Sequence, residues 1–153
     1  MRALELRIPP LAVVAAFAAA MAALTCVFPA GVFDNPVRLV AAFVLSALGV
    51  LAALAGVVAF RRHQTTVNPF KPEQSSALVS SGIYRFSRNP MYLGFLLALF
   101  GWGVYLSNWG AICLLPVFVG YMNRFQIRPE ERALLERWGP EFTAYAARVR
   151  RWI

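Results

Sequence analysis

LVAAFVLSALGVLAALAGVVAF, residues 39–60, is a run of 22 residues without a single charge. At about 1.5 Å per residue, a helix of that length covers the roughly 30 Å of hydrocarbon in a bilayer. A helix at the surface of a soluble protein would carry a polar face, and this run has none, so it reads as a spanning helix. Upstream, Pro9–Phe28 is an uncharged run of 20 residues and reads the same way. Arg2 and Arg7 precede it as in a signal peptide. No clear small-residue cleavage site follows Phe28 and another spanning run comes next, so the segment is expected to stay in place as a helix.

Downstream, Asn89–Asn123 has 35 residues without charge, too many for one ordinary span. Ser107-Asn108-Trp109-Gly110 interrupts it with turn chemistry. The spacing predicts a helical hairpin, one arm over about Met91–Leu106 and the other over about Ala111–Met122, with Pro116 bending the second arm. The composition agrees. Of 153 residues 59% are apolar and 14% charged, where soluble domains average roughly 45–50% and about 25%. The fold class expected is therefore an all-α polytopic membrane protein. It has two spanning helices, a helical hairpin and an amphipathic C-terminal helical segment, in one domain over residues 1–153.

Charge sets the orientation. Of the 15 Lys and Arg residues, 14 fall on the side holding the N-terminus, residues 61–90 and the C-terminal tail, and only Arg38 falls on the other. That asymmetry predicts both termini in the cytoplasm, and four membrane segments satisfy the parity. In a soluble chain a net charge of +8 would suggest nucleic acid. Here the cations sit between apolar runs, and membrane is the reading they support. A bacterial inner membrane is the expected location. Cys26 and Cys113, far apart in apolar runs, form no disulfide framework and no metal motif, and are expected as small core residues. Small residues four apart, as in Ala12/Ala16/Ala20, Ala42/Ser46, Gly49/Ala53 and Ala52/Gly56, suit close helix contact, of the first two helices with each other or of two copies.

Neither spanning run holds an Asp, Glu, Lys, Arg or His, so the chemistry belongs at the cytoplasmic rim. Two segments there carry polar groups. Arg61–Tyr92 mixes Gly, Pro, Ser and Asn with aromatics, as ordered loops do. Gly82 permits positive φ, and Asn89 before Pro90 starts the third helix. Arg124–Ile153 contains Pro129-Glu130-Glu131, a good helix N-terminus on dipole grounds, so capping is the plain account of the two carboxylates. The helix breaks at Gly139-Pro140, and Arg148, Arg150 and Arg151 are expected at anionic headgroups. His63 titrates near neutrality and could serve as a general base, or simply lie at the interface beside Arg61 and Arg62.

Leu78-Val79 through Gly82 and Tyr84, then Arg88-Asn89-Pro90-Met91-Tyr92, then Glu130-Glu131-Arg132-Ala133-Leu134 after 37 residues, resemble the integral-membrane methyltransferases typified by isoprenylcysteine carboxyl methyltransferase. Their pattern is Arg-His-Pro-x-Tyr followed at a distance by Glu-Glu-x-x-Leu. The related phospholipid N-methyltransferases share Asn-Pro-Met-Tyr and a following Gly-x-Gly, here Gly101-Trp102-Gly103. The resemblance covers about residues 61–150. It implies S-adenosylmethionine as methyl donor, a lipophilic acceptor, and a donor-binding and catalytic part over 61–153 behind a two-helix hairpin at 1–60. By position it implies a donor pocket of Ser76, Ala77, Leu78, Val79, Tyr84, Asn89, Pro90, Met91, Tyr92, Glu130 and Glu131, with Arg88, Tyr92 and Gln126 at the catalytic positions.

Asn89 and Ser76 stand where the family has histidines. Gln126 stands where the isoprenylcysteine enzymes carry an arginine associated with substrate. The residue types suit the chemistry independently. A sulfonium methyl is already activated, so transfer calls for in-line approach, exclusion of water and tolerance of a cation. Aromatic faces such as those of Tyr84 and Tyr92 favour a cation by roughly 0.5–2 kcal/mol, and a carboxylate such as Glu130 can hold an ammonium. Two other classes fit the same architecture: a steroid-reductase-like enzyme using NADPH, and a non-catalytic membrane module that binds lipid or a partner helix. The absence of a Gly-rich phosphate loop weighs against the first, and the intact motifs weigh against the second. Reporter fusions at both ends test the orientation: both are expected to report cytoplasm, and an external C-terminal signal would mean the 89–123 hairpin was miscounted.

Overall fold

The computed structural model describes residues 5–29, 36–62 and 78–153. They form five α-helices and no strand: α1 Pro10–Val27, α2 Pro36–Arg62, α3 Pro90–Leu106, α4 Trp109–Met122 and α5 Arg128–Arg148. A 3-10 turn, Gly82–Arg85, precedes α3, and a π turn, Asn123–Ile127, joins α4 to α5. His63, Ser76 and Ala77 lie outside the described residues.

Local chemistry sets the boundaries. Pro90 occupies the first turn of α3 behind Asn89, where its missing N–H is no loss. Ser107, in the left-handed region at φ 56°, closes α3. Asn108 then caps α4, its Oδ1 accepting from the Ala111 amide at 3.1 Å while its Nδ2 donates to the Phe28 carbonyl at 2.7 Å. One side chain thus builds the hairpin turn and ties it to the end of α1. α4 remains one helix through Pro116. In α5 the Gly139-Pro140 break is a kink within the helix, with Gly139 at φ 44° and ψ −116°, angles that glycine adopts freely.

The apolar helices α1 and α2 are long enough to cross a bilayer. α3, at 17 residues, covers about 26 Å. The continuous helical run from Trp109 is apolar only as far as Met122. Charges begin at Arg124, so its crossing part ends there and α5 lies beyond it. The protein is an integral membrane protein. Phe43 is 74% exposed and Leu11 66%, surface that hydrocarbon accepts without penalty. Lipid also explains why Cys26 and Cys113 are exposed rather than in the core as expected: an apolar solvent removes the need to bury them.

The α2 small-residue ladder packs against α3 instead of the first helix, while Ala12, Ala16 and Ala20 of the α1 ladder are exposed. α2 lies along α3, and α1 rests on α3 and α4. A Cβ on Gly49 would fall 2.5 Å from the Gly94 carbonyl oxygen, and a Cβ on Gly94 would meet the Gly49 carbonyl oxygen. Further along, a Cβ on Gly101 would strike Ser46 Oγ. In lipid, helices gain nothing from hiding apolar surface from water, so close backbone contact is what holds them together. Between α1, α3 and α4, Val13, Met21, Leu99, Phe118 and Met122 form the buried core, with Phe17 set edge-on to Phe118 at 5.4 Å.

Gly94→Ala should destabilise the detergent-purified protein by about 1–3 kcal/mol, the scale of overpacking. Gly56→Ala should cost less, because the close contact of a Cβ there is with the flexible Met91 side chain, the Met91 amide nitrogen lying at an ordinary 3.5 Å. Thermal midpoints of the two variants check this, and equal midpoints would overturn the packing account.

Candidate functional site

The polar end of the bundle is where the start of α3, the π turn, α5 and residues 149–152 meet. The π turn holds Gln126 and Ile127 fully buried and leads without a break into α5. Pro129, Glu130 and Glu131 therefore follow a continuing helix instead of a free N-terminus. This corrects the capping account, since there are no open amide groups for the carboxylates to cap.

The carboxylates face α3 and its approach. Tyr92 Oη donates to Glu130 Oε1. Glu131 is held by two guanidinium groups: Arg88 Nη2 lies 3.2 Å from its Oε1, and Arg151 donates from Nε at 3.1 Å and from Nη2 at 2.6 Å. Burial raises the Glu130 carboxyl to about 8; the Tyr92 hydrogen bond opposes the rise and the Glu131 charge adds to it. Burial likewise pushes the Tyr84 phenol well above its usual range, with Tyr145 and Glu130 contributing. The bond to Glu131 keeps Arg151 more firmly protonated than usual. Arg88 Nε is buried with no partner.

Tyr84 is buried in the 3-10 turn, opened by Gly82 at φ 61°, with Phe60 of α2 edge-on at 5.3 Å. Tyr145, beyond the kink in α5, donates to the Tyr84 carbonyl at 2.8 Å. Val79 and Pro90 are buried, Leu78, Asn89 and Met91 partly so. Three expected residues are engaged by the chain itself. Asn89 Nδ2 donates to the Arg151 carbonyl at 2.9 Å. Glu131 is filled by its two arginines. Gln126 Nε2 donates to the Ile8 carbonyl at 2.7 Å, and its Oε1 is buried without a partner. Arg151, expected at lipid headgroups, pairs inward instead, because Glu131 offers a bidentate carboxylate. Gly101 and Gly103 serve helix packing, about 14 and 17 Å along α3 from Tyr92.

Arg151, Tyr145 and the Trp152 indole, which donates to Asn123 Oδ1 at 3.1 Å, were not singled out for the site by sequence reasoning. Each acts across 20 residues or more, and nothing in the local pattern marks the partner.

The arrangement offers a carboxyl and a phenol joined at a partly buried rim, a neighbouring guanidinium with a free N–H, and aromatic faces beside them. Such a set suits a small zwitterionic or cationic ligand.

Comparison with known proteins gives the same direction. A 63-residue uncharacterised protein of Haemophilus influenzae is 40% identical over its whole length, 41% of this chain. The protein-S-isoprenylcysteine O-methyltransferase B of Arabidopsis thaliana is 29% identical over 67% of this chain and 52% of its own length. The protein-S-isoprenylcysteine O-methyltransferase of Saccharomyces cerevisiae is 34% identical over 52% of this chain and 33% of its own. The chain thus spans about half of the plant enzyme and a third of the yeast one. No solved structure matches at a significant level. The phospholipid methyltransferase family model matches residues 37–141, from α2 to just past the kink in α5, and the chain belongs to that family of membrane methyltransferases, whose chemistry requires a methyl donor.

Proposed function

We propose that this protein transfers a methyl group from S-adenosylmethionine to a lipophilic acceptor that arrives from the bilayer. The observation that carries the reading is the convergence of Tyr92 and Glu130, 38 residues apart in sequence, beside Arg88 with its unpartnered Nε. These groups fit the donor: Glu130 suits its ammonium, Arg88 its carboxylate, and Tyr84 and Tyr92 give aromatic faces for a cation. The donor, when bound, supplies an activated methyl on a sulfonium.

The chain's own part is to bind, orient and exclude water. α1 and α2 hold the rim at headgroup depth, and residues 61–153 carry the donor and acceptor groups within one domain. With both termini cytoplasmic in a bacterial inner membrane, the donor comes from the cytoplasm and the acceptor from the side.

Gln126 supports a choice of acceptor. Its amide nitrogen gives one N–H to Ile8, and the atom left wholly without a partner is Oε1, which only accepts hydrogen bonds. An amine-bearing lipid matches that oxygen and a carboxylate is repelled by it.

Glu130→Gln should weaken donor binding by about 1.5–3 kcal/mol, the scale of a charged hydrogen bond. At pH 7 the Glu130 carboxyl, raised to about 8, holds its proton, and an ammonium beside it favours the ionised form. Donor binding should therefore release part of a proton, read by calorimetry in buffers of different ionisation enthalpy, and Glu130→Gln should release none. In the ligand-free protein the same shift gives a stability contribution present below pH 4.5 and lost as pH rises through about 8. Unaltered affinity and proton release in Glu130→Gln would remove the carboxylate from the donor site.

In a radiolabelled methyl-transfer assay an aminophospholipid should be methylated in preference to a prenylcysteine carboxylate. Efficient turnover of the prenylcysteine would overturn the argument from Gln126.

A further inference from the structure

α5 ends at Arg148, and Val149 is extended at φ −119° and ψ 129°. A basic tail bound for lipid phosphates would send its side chains outward and leave its backbone to water. The carbonyls of Arg150 and Arg151 and the side chains of Arg151 and Trp152 do the reverse, while Arg150 itself is exposed. The Arg150 carbonyl accepts from the Arg88 amide at 3.0 Å. The Arg151 carbonyl accepts from Asn89 Nδ2 at 2.9 Å and from Ser87 Oγ at 3.4 Å. The Arg151 guanidinium grips Glu131 through both carboxylate oxygens, and the Trp152 indole is fixed to Asn123 at the head of the π turn.

Three separate parts of the site, the approach to α3, the carboxylate row of α5 and the π turn, are thus tied to one short segment. Ser87 is only 2% exposed with the segment in place, so the segment both helps to cover its hydroxyl and gives it a partner. Glu131 would keep Arg88 alone, free to turn about a single contact.

We infer that residues 150–152 form a clasp that sets the Arg88–Tyr92 motif at a fixed position against Glu130 and Glu131, with Arg151 as its principal positioning residue. The clasp shapes the donor pocket without touching the donor, and its functional role rests on the donor reading above. Asn89, where the family carries a histidine, has its amide directed to this clasp.

The test compares full-length Arg151→Met and Arg151→Lys with the unaltered protein, all in detergent. Hydrogen exchange without ligand is read over residues 84–92, and S-adenosylhomocysteine affinity by calorimetry. Arg151→Met should speed exchange in 84–92, leave α1 and α2 unaltered, and weaken affinity by about ten-fold, within the range of one charge-assisted contact. Arg151→Lys, which keeps the charge and part of the bonding, should recover most of the affinity. Unchanged exchange in Arg151→Met would overturn the clasp, as would faster exchange with full affinity, or faster exchange spread through α1 and α2. No binding by the unaltered protein would overturn the donor reading, and with it the clasp's role in donor binding, while the exchange data alone would still judge the mechanical tie.

Discussion

The contact of Gly49 with Gly94 is the constraint from which the rest is arranged. Two backbones meet there at a distance that no side chain allows, and in hydrocarbon that closeness is the main source of attraction between helices. α3 becomes the common support against which α1, α2 and α4 are placed. Tyr92 lies two residues before Gly94 on the same helix, so the position of its hydroxyl is set by packing inside the membrane before any polar group at the rim is considered.

The rim then treats two adjacent carboxylates in opposite ways. Glu131 receives two guanidinium groups, and Glu130 receives a phenol and burial. A fixed ion pair thus sits beside a carboxyl that gives up its proton reluctantly, within one turn of α5. The N-terminal segment contributes to the same economy of roles. Glu5 pairs with Arg124 and Arg132, and the Leu6 amide donates to the Phe125 carbonyl at 3.0 Å, so the π turn is held from the outside as well as by Trp152.

What could be read in the sequence follows from the range of the interactions. The uncharged runs, the Asn-Pro start of α3, the Ser107-Asn108 turn and the Gly139 break are written in local composition, and all are present. Motif spacing was enough to connect Tyr92 with Glu130, because the family pattern stores that long-range pairing. It was not enough for the partner of the α2 ladder, since small residues signal close approach without saying to what. Nor could it give the inward turn of Arg151, whose local surroundings, Arg148, Val149 and Arg150, read like an ordinary basic tail. The engagement of Gln126 by Ile8 was equally hidden, for a backbone carbonyl leaves no trace in the residue type.

The π turn at Asn123–Ile127 has one more consequence. It holds an extra residue relative to α-helical winding, and each residue of an α-helix turns the chain by about 100°. If the turn tightened to regular α winding with every residue kept, Glu130 and Glu131 would swing around the axis, away from Tyr92 and Arg88, whereas tightening with one residue removed would leave them facing as they do. The alignment of the site is therefore recorded in the match between this residue count and this wide winding, as well as in what those residues are. A substitution that closes the π turn without shortening it would turn both carboxylates away from the start of α3.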